Sequence, residues 1–78
     1  MTVAELVTYI GMYNPMHGNV VRDLYYDIHC NMVTLYFRYA PDRNFRISLH
    51  EEELAKYEKA YVKTMFDDIL EKLRKGEI

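Results

Sequence analysis

The histidines, the cysteine and the serine are few and scattered: His17, His29 and His50, a lone Cys30 and a lone Ser48, with Asp27 two residues before His29. A zinc site needs three or four converging nitrogen or sulfur ligands, usually at close sequence spacing. None of these residues shows it. His29 and Cys30 are adjacent in a segment that reads as extended, so they point to opposite faces. A serine or cysteine nucleophile needs a base beside it, and Cys30 has only His29 in its sequence context. Asp27 and His29 have the makings of an acid–base pair, although neighbours of this kind also occur as plain surface partners. There is no glycine-rich phosphate loop. The expectation is a protein with no metal, no cofactor and no enzymatic activity.

Recognition chemistry is better represented. The run DLYYDIHCNMVTLYFRY, residues 23–39, holds four of the eight tyrosines. All four cations before position 50 are arginines (Arg22, Arg38, Arg43, Arg46), whereas five of the six after it are lysines. Arginine presents a planar fork of donors and stacks on aromatic rings, while lysine more often solvates a helix. Tyrosine and arginine also dominate protein interfaces, since they bury much area and keep polar tips. Asp23, Tyr25, Asp27, His29, Tyr36, Arg38 and Arg46 are therefore the candidate partner-binding residues. Exposed aromatics on a sheet also stack nucleic-acid bases. Against that stand Asp23 and Asp27 on the same face, the absence of an RNP-like pattern, and a net charge of −2.

These residues need elements to position them. Thr2 and Glu5 form a capping box, and Val3, Leu6, Val7 and Ile10 follow at helical spacing, with Gly11 and Asn14-Pro15 as the stop. Residues 14–19, NPMHGN, read as a loop. From Val20 the period becomes two: Leu24, Tyr26 and Ile28 alternate with Asp23, Tyr25, Asp27 and His29. Val33, Leu35, Phe37 and Tyr39 repeat the pattern against Met32, Thr34, Tyr36 and Arg38. A third strand turns Phe45, Ile47 and Leu49 inward and Arg46 and Ser48 outward, after turn residues 40–44. With Cys30-Asn31 as a two-residue turn, the predicted register sets Ile28 against Val33, Tyr26 against Leu35 and Leu24 against Phe37. It places Tyr25 opposite Tyr36 and Asp23 opposite Arg38 on the outer face.

Helical spacing returns after Leu49. Ser48 with Glu51, or His50 with Glu53, supplies the cap, and the stripe Leu54, Tyr57, Tyr61, Val62, Met65, Phe66, Ile69, Leu70, Leu73 runs to Gly76. A helix over 51–74 spans roughly 36 Å. Its second half has the wider apolar band, so Val62, Met65, Phe66, Ile69, Leu70 and Leu73 are candidates for a homodimer or partner-helix face.

Seventy-eight residues make one domain, residues 1–78, burying about 60 to 65% of its unfolded surface and leaving little room for an internal pocket. The predicted fold class is α+β: an N-terminal helix, a three-stranded antiparallel meander and a long C-terminal helix, with both helices on one sheet face. The single cysteine, the lack of a secretory leader and the lack of a membrane-length apolar run point to the cytoplasm, with no membrane association. This order of elements resembles that of several small phage-encoded inhibitors of host defence or host enzymes, including some anti-CRISPR proteins. The resemblance lies in architecture and in no motif. It implies a small inhibitor that occupies the surface of a larger protein partner; the alternative is a nucleic-acid-binding regulator, dimeric through the C-terminal helix.

Overall fold

The computed structural model describes residues 1–78. It has an N-terminal helix α1 (Val3–Tyr13), a 3₁₀ turn (Asn14–Met16), strands β1 (Val21–Asp27), β2 (Met32–Ala40) and β3 (Arg43–His50), a short helix α2 (Glu51–Leu54) and a long C-terminal helix α3 (Lys59–Lys75). The strands form one antiparallel sheet in the order β1-β2-β3. The α+β meander predicted from the periodicities is the fold observed.

The capping box forms as expected, with the Glu5 amide donating to Thr2 Oγ1 and the Thr2 amide to Glu5 Oε1. The helix does not stop at Gly11. It runs on to Tyr13, whose ring is buried, and ends only where Pro15 enters the 3₁₀ turn. Tertiary burial of that ring outweighs the small helix penalty of one glycine.

The β1–β2 register differs from the prediction by two residues. Tyr26 faces Val33, Leu24 faces Leu35, Tyr25 faces Thr34 and Asp23 faces Tyr36. The cause is a longer reversal, residues 28–31, between the strands. Asp27 Oδ1 accepts the His29 amide at 2.9 Å, which starts the turn early, and Asn31 closes it with φ +54°. A two-residue type I′ turn would need positive φ at Cys30 as well, and asparagine tolerates that region far better than cysteine. A shift of two preserves the faces, but it carries Ile28 out of the core into the turn, where it is 73% exposed. Tyr39 is likewise not a core residue. It sits at the bulge between Arg38 and Ala40 and is exposed.

On the inner face Val33, Leu35 and Phe37 are fully buried and join Leu6, Tyr9 and Tyr13 of α1 and the apolar stripe of α3 in one core. Phe66 is its centre, edge-on to Phe37 and to Tyr13 at 5.2 Å each and 5.7 Å from Tyr9. The stripe predicted as a pairing face lies inside the chain. Val62, Phe66, Ile69, Leu70 and Leu73 are buried and Met65 is half-buried, because α1 and the sheet together cover α3.

The 24-residue helix predicted over 51–74 is broken. His50 caps α2 through Nδ1, accepting the Glu52 amide, while residues 55–58 leave the helix before α3 begins. A straight helix of about 36 Å would overhang a molecule whose longest dimension is 32 Å. The break lets Leu54 turn fully into the core. Carbonyls at the break, on Leu54, Ala55 and Tyr57, accept from the Met1 ammonium at 2.8–3.3 Å, and that of Leu54 also accepts the Tyr57 amide. On α3 the pairs Lys63–Asp67, Lys72–Asp68 and Lys75–Glu71 follow i,i+4 spacing, and Gly76 (φ +72°) closes the helix. No helix is long and apolar enough to cross a membrane.

Candidate functional site

The outer sheet face takes its residues from the positions of each strand that alternate with the core. Because the sheet is in register, they fall into rows across three strands. One row is Asp23, Tyr36, Arg46; the next is Tyr25, Thr34, Ser48. These six residues line a shallow depression of about 400 Å³. The same physical alternation that buries Val33, Leu35 and Phe37 raises these side chains into solvent.

Each row has its own chemistry. In the first, an acid and a guanidinium flank a tyrosine two strand spacings apart, about 10 Å. Asp23 Oδ1 accepts the Leu24 amide at 2.9 Å, and Arg46 forms no ion pair or hydrogen bond within the chain. Tyr36 is held from below by its own hydroxyl, which donates to Asn44 Oδ1 at 2.8 Å, while Asn44 Nδ2 donates to Pro41 O at 3.3 Å. In the second row Thr34 Oγ1 and Ser48 Oγ share a hydrogen bond of 2.9 Å. Ser48 therefore has a hydroxyl as partner rather than a base, and it does not cap α2. Tyr25 is 65% exposed and projects beside this pair.

Of the seven residues predicted to share this surface, Asp23, Tyr25, Tyr36 and Arg46 converge. The other three do not. Asp27 ends β1, and its carboxylate is occupied in the turn. His29 lies within the reversal rather than on a strand, since the turn begins two residues earlier than expected. Arg38, at the β2 bulge, lines a separate cleft with His17 and Arg74. Asn44, expected only as a turn residue, also holds Tyr36 through its side-chain oxygen. Its position opposite Arg38, diagonal to Tyr36, is the signal that register supplies.

Titration of several groups is shifted on the helical side. Lys63 Nζ and the Tyr13 hydroxyl both donate to Asp67, at 2.7 Å each. The bond from Lys63 chiefly holds the Asp67 carboxyl below its usual range, with Tyr13 adding to it. Burial first, then the bond to Asp67, pushes the Tyr13 phenol well above its ordinary value. This cluster ties α1 to α3. Cys30 is exposed in the turn, and no three or more His, Cys, Asp or Glu side chains are grouped so as to hold a metal ion.

No protein-family model matches the chain, and no match was found among curated proteins or solved structures.

Proposed function

We propose that the chain is a small, non-catalytic cytoplasmic protein-binding module that acts by covering a surface of a larger partner, in the manner of a phage or mobile-element inhibitor of a host protein. The observation that supports this most is the row Asp23, Tyr36, Arg46 with Tyr25 beside it: an aromatic flanked by opposite charges, none of them in the core. Such a row suits a protein surface of mixed charge. It suits a polyanion less, since Asp23 stands at one end of the row and would repel phosphates there. A three-stranded face measures about 15 Å by 25 Å. That is under half of the roughly 800 Å² that a standard interface takes from each side. A tightly held partner therefore also covers an edge, and the exposed Ile28 turn adjoining Tyr25 is the apolar place to do so.

The test is affinity capture with the wild-type chain and with Tyr36→Ala combined with Arg46→Ala. Capture is expected to be lost in the variant while circular dichroism shows an unchanged fold. Retention of the same partner by the variant would remove this face from the reading. The competing function, a nucleic-acid-binding regulator, is examined by titrating fluorescent single- and double-stranded oligonucleotides at several salt concentrations. Micromolar or tighter binding with a steep salt slope, on the scale set by counterion release, would replace the protein-binding reading. Dimerisation through the C-terminal helix gains no support, because pairing through that stripe would require opening the core.

A further inference from the structure

A second cleft, of about 360 Å³, opens where the loop after α1, the end of β2 and the last turns of α3 meet. His17, Arg38 and Arg74 line it together with apolar surface from Met16, Tyr39 and Leu70. We propose that this cleft binds a small phosphate monoester.

The pairing pattern of α3 singles out Arg74. Lys72 and Lys75 each reach a carboxylate four residues back and Lys63 one four residues ahead, but the residue four before Arg74 is Leu70, a wall of the cleft, and the residue four after it is Ile78. Glu71, three before it, is engaged by Lys75 at 3.1 Å. Arg74 thus has no ion pair, and its charge falls on the Tyr13 side, where it offsets part of the rise in that phenol's pKa. Arg38 also forms no ion pair in the chain. Two guanidinium groups left without counter-ions in one cleft of an acidic protein match the forked recognition that arginine gives phosphate oxygens.

His17 is oriented rather than free. Its ring stacks on Tyr13 with centroids 3.8 Å apart, and Nδ1 lies 2.9 Å from the Tyr13 carbonyl, so the proton on that nitrogen is donated there. Nε2 is 3.9 Å from Asp67 Oδ1, but Asp67 already accepts from Lys63 and from Tyr13. No carboxylate lines the cleft itself, and Asp67 beside His17 is held from two other sides.

The C-terminal end of a helix ordinarily repels an anion. Here Arg43 Nη1 donates to the Arg74 carbonyl at 2.6 Å, and the Gly76 and Glu77 amides satisfy Leu73 and Lys72. Those contacts offset the negative end of α3 beside the cleft. The apolar wall favours an ester over free phosphate, and two guanidinium groups lining one cleft favour a phosphate, with its larger charge, over a carboxylate.

The experiment is an NMR titration of the isotope-labelled full chain with phenyl phosphate, inorganic phosphate and benzoate. Phenyl phosphate is expected to bind most tightly, with shifts concentrated at His17, Gly18, Tyr39 and Arg74. Arg38→Gln and Arg74→Gln are each expected to weaken it about tenfold, the equivalent of one charge-assisted hydrogen bond. Arg74→Lys should recover part of the loss, and the same spectra report whether each variant is folded. Equal binding of benzoate or inorganic phosphate, unchanged affinity in both glutamine variants, or no shift at these residues up to about 10 mM ligand, beyond even a weak millimolar complex, would overturn the proposal.

Discussion

The two faces of the sheet are built from alternate residues of the same strands, yet their side chains answer to different demands. Along β2, Val33, Leu35 and Phe37 have no solvent exposure, whereas the hydroxyls of Thr34 and Tyr36 between them bond to Ser48 and Asn44, outside the core. The inner residues are constrained by volume. The outer ones are constrained by what they can pair with, and Arg46 and Tyr25 pair with nothing in the chain. Neighbours in sequence can therefore differ widely in their energetic weight, and the residues of least weight for folding are the ones available for recognition.

The largest expected effect tests that contrast directly. Phe37→Ala should cost about 3–5 kcal/mol through lost burial and the cavity left against Phe66. That is comparable to the whole stability, about 5 kcal/mol, at the low end for small domains, so urea denaturation should find the variant largely unfolded. Tyr36→Ala, one residue away, should stay within about 1 kcal/mol of wild type. Similar losses at the two positions would break the comparison.

Alkali should sharpen it from the helical side. The Tyr13 and Tyr57 phenols are both raised from 10.0, Tyr13 chiefly by burial and Tyr57 by its hydrogen bond to Glu53, to about 12. A raised phenol favours the folded state in full below pH 10 and loses that contribution as pH climbs through the folded value. For Tyr57 the loss falls between pH 10 and about 12. Stability followed by circular dichroism should decline over that window, and Tyr57→Phe should flatten the decline.

Gly11→Ala touches neither face. No atom lies within 4 Å of the added Cβ, and the site is an exposed helix interior, so a gain of about 0.5–1 kcal/mol in denaturant titration is expected. The smallest change should come from Thr34→Val with Ser48→Ala. Removing both partners of an exposed hydrogen bond leaves no orphaned group, and thermal unfolding should move by less than about 0.5 kcal/mol equivalent.

How much of this was legible in the sequence follows from the same alternation. Period two fixes the face of Tyr25, Tyr36 and Arg46 whatever the register, so four of the seven candidate residues could be grouped correctly from a register that was wrong by two. Residues at strand ends have no such protection. His29 and Ile28 moved into the reversal, and Arg38 passed to another cleft, because turn geometry and a bulge decided their places. The break at residues 55–58 carries no glycine or proline to announce it. It arises from the length of the molecule and the pull of Leu54 into the core, which only the assembled fold supplies.

The meander also has a consequence in time. Both hairpins close over short connections, a microsecond event, whereas Tyr13 must find Asp67 across 54 residues. Closing that long loop carries the greater entropy loss. Docking of α1 onto α3 is thus expected to be the late step. Weakening it with Tyr13→Phe should speed unfolding and leave the refolding arm of a chevron in place, while Leu35→Ala, within the hairpins, should slow refolding itself.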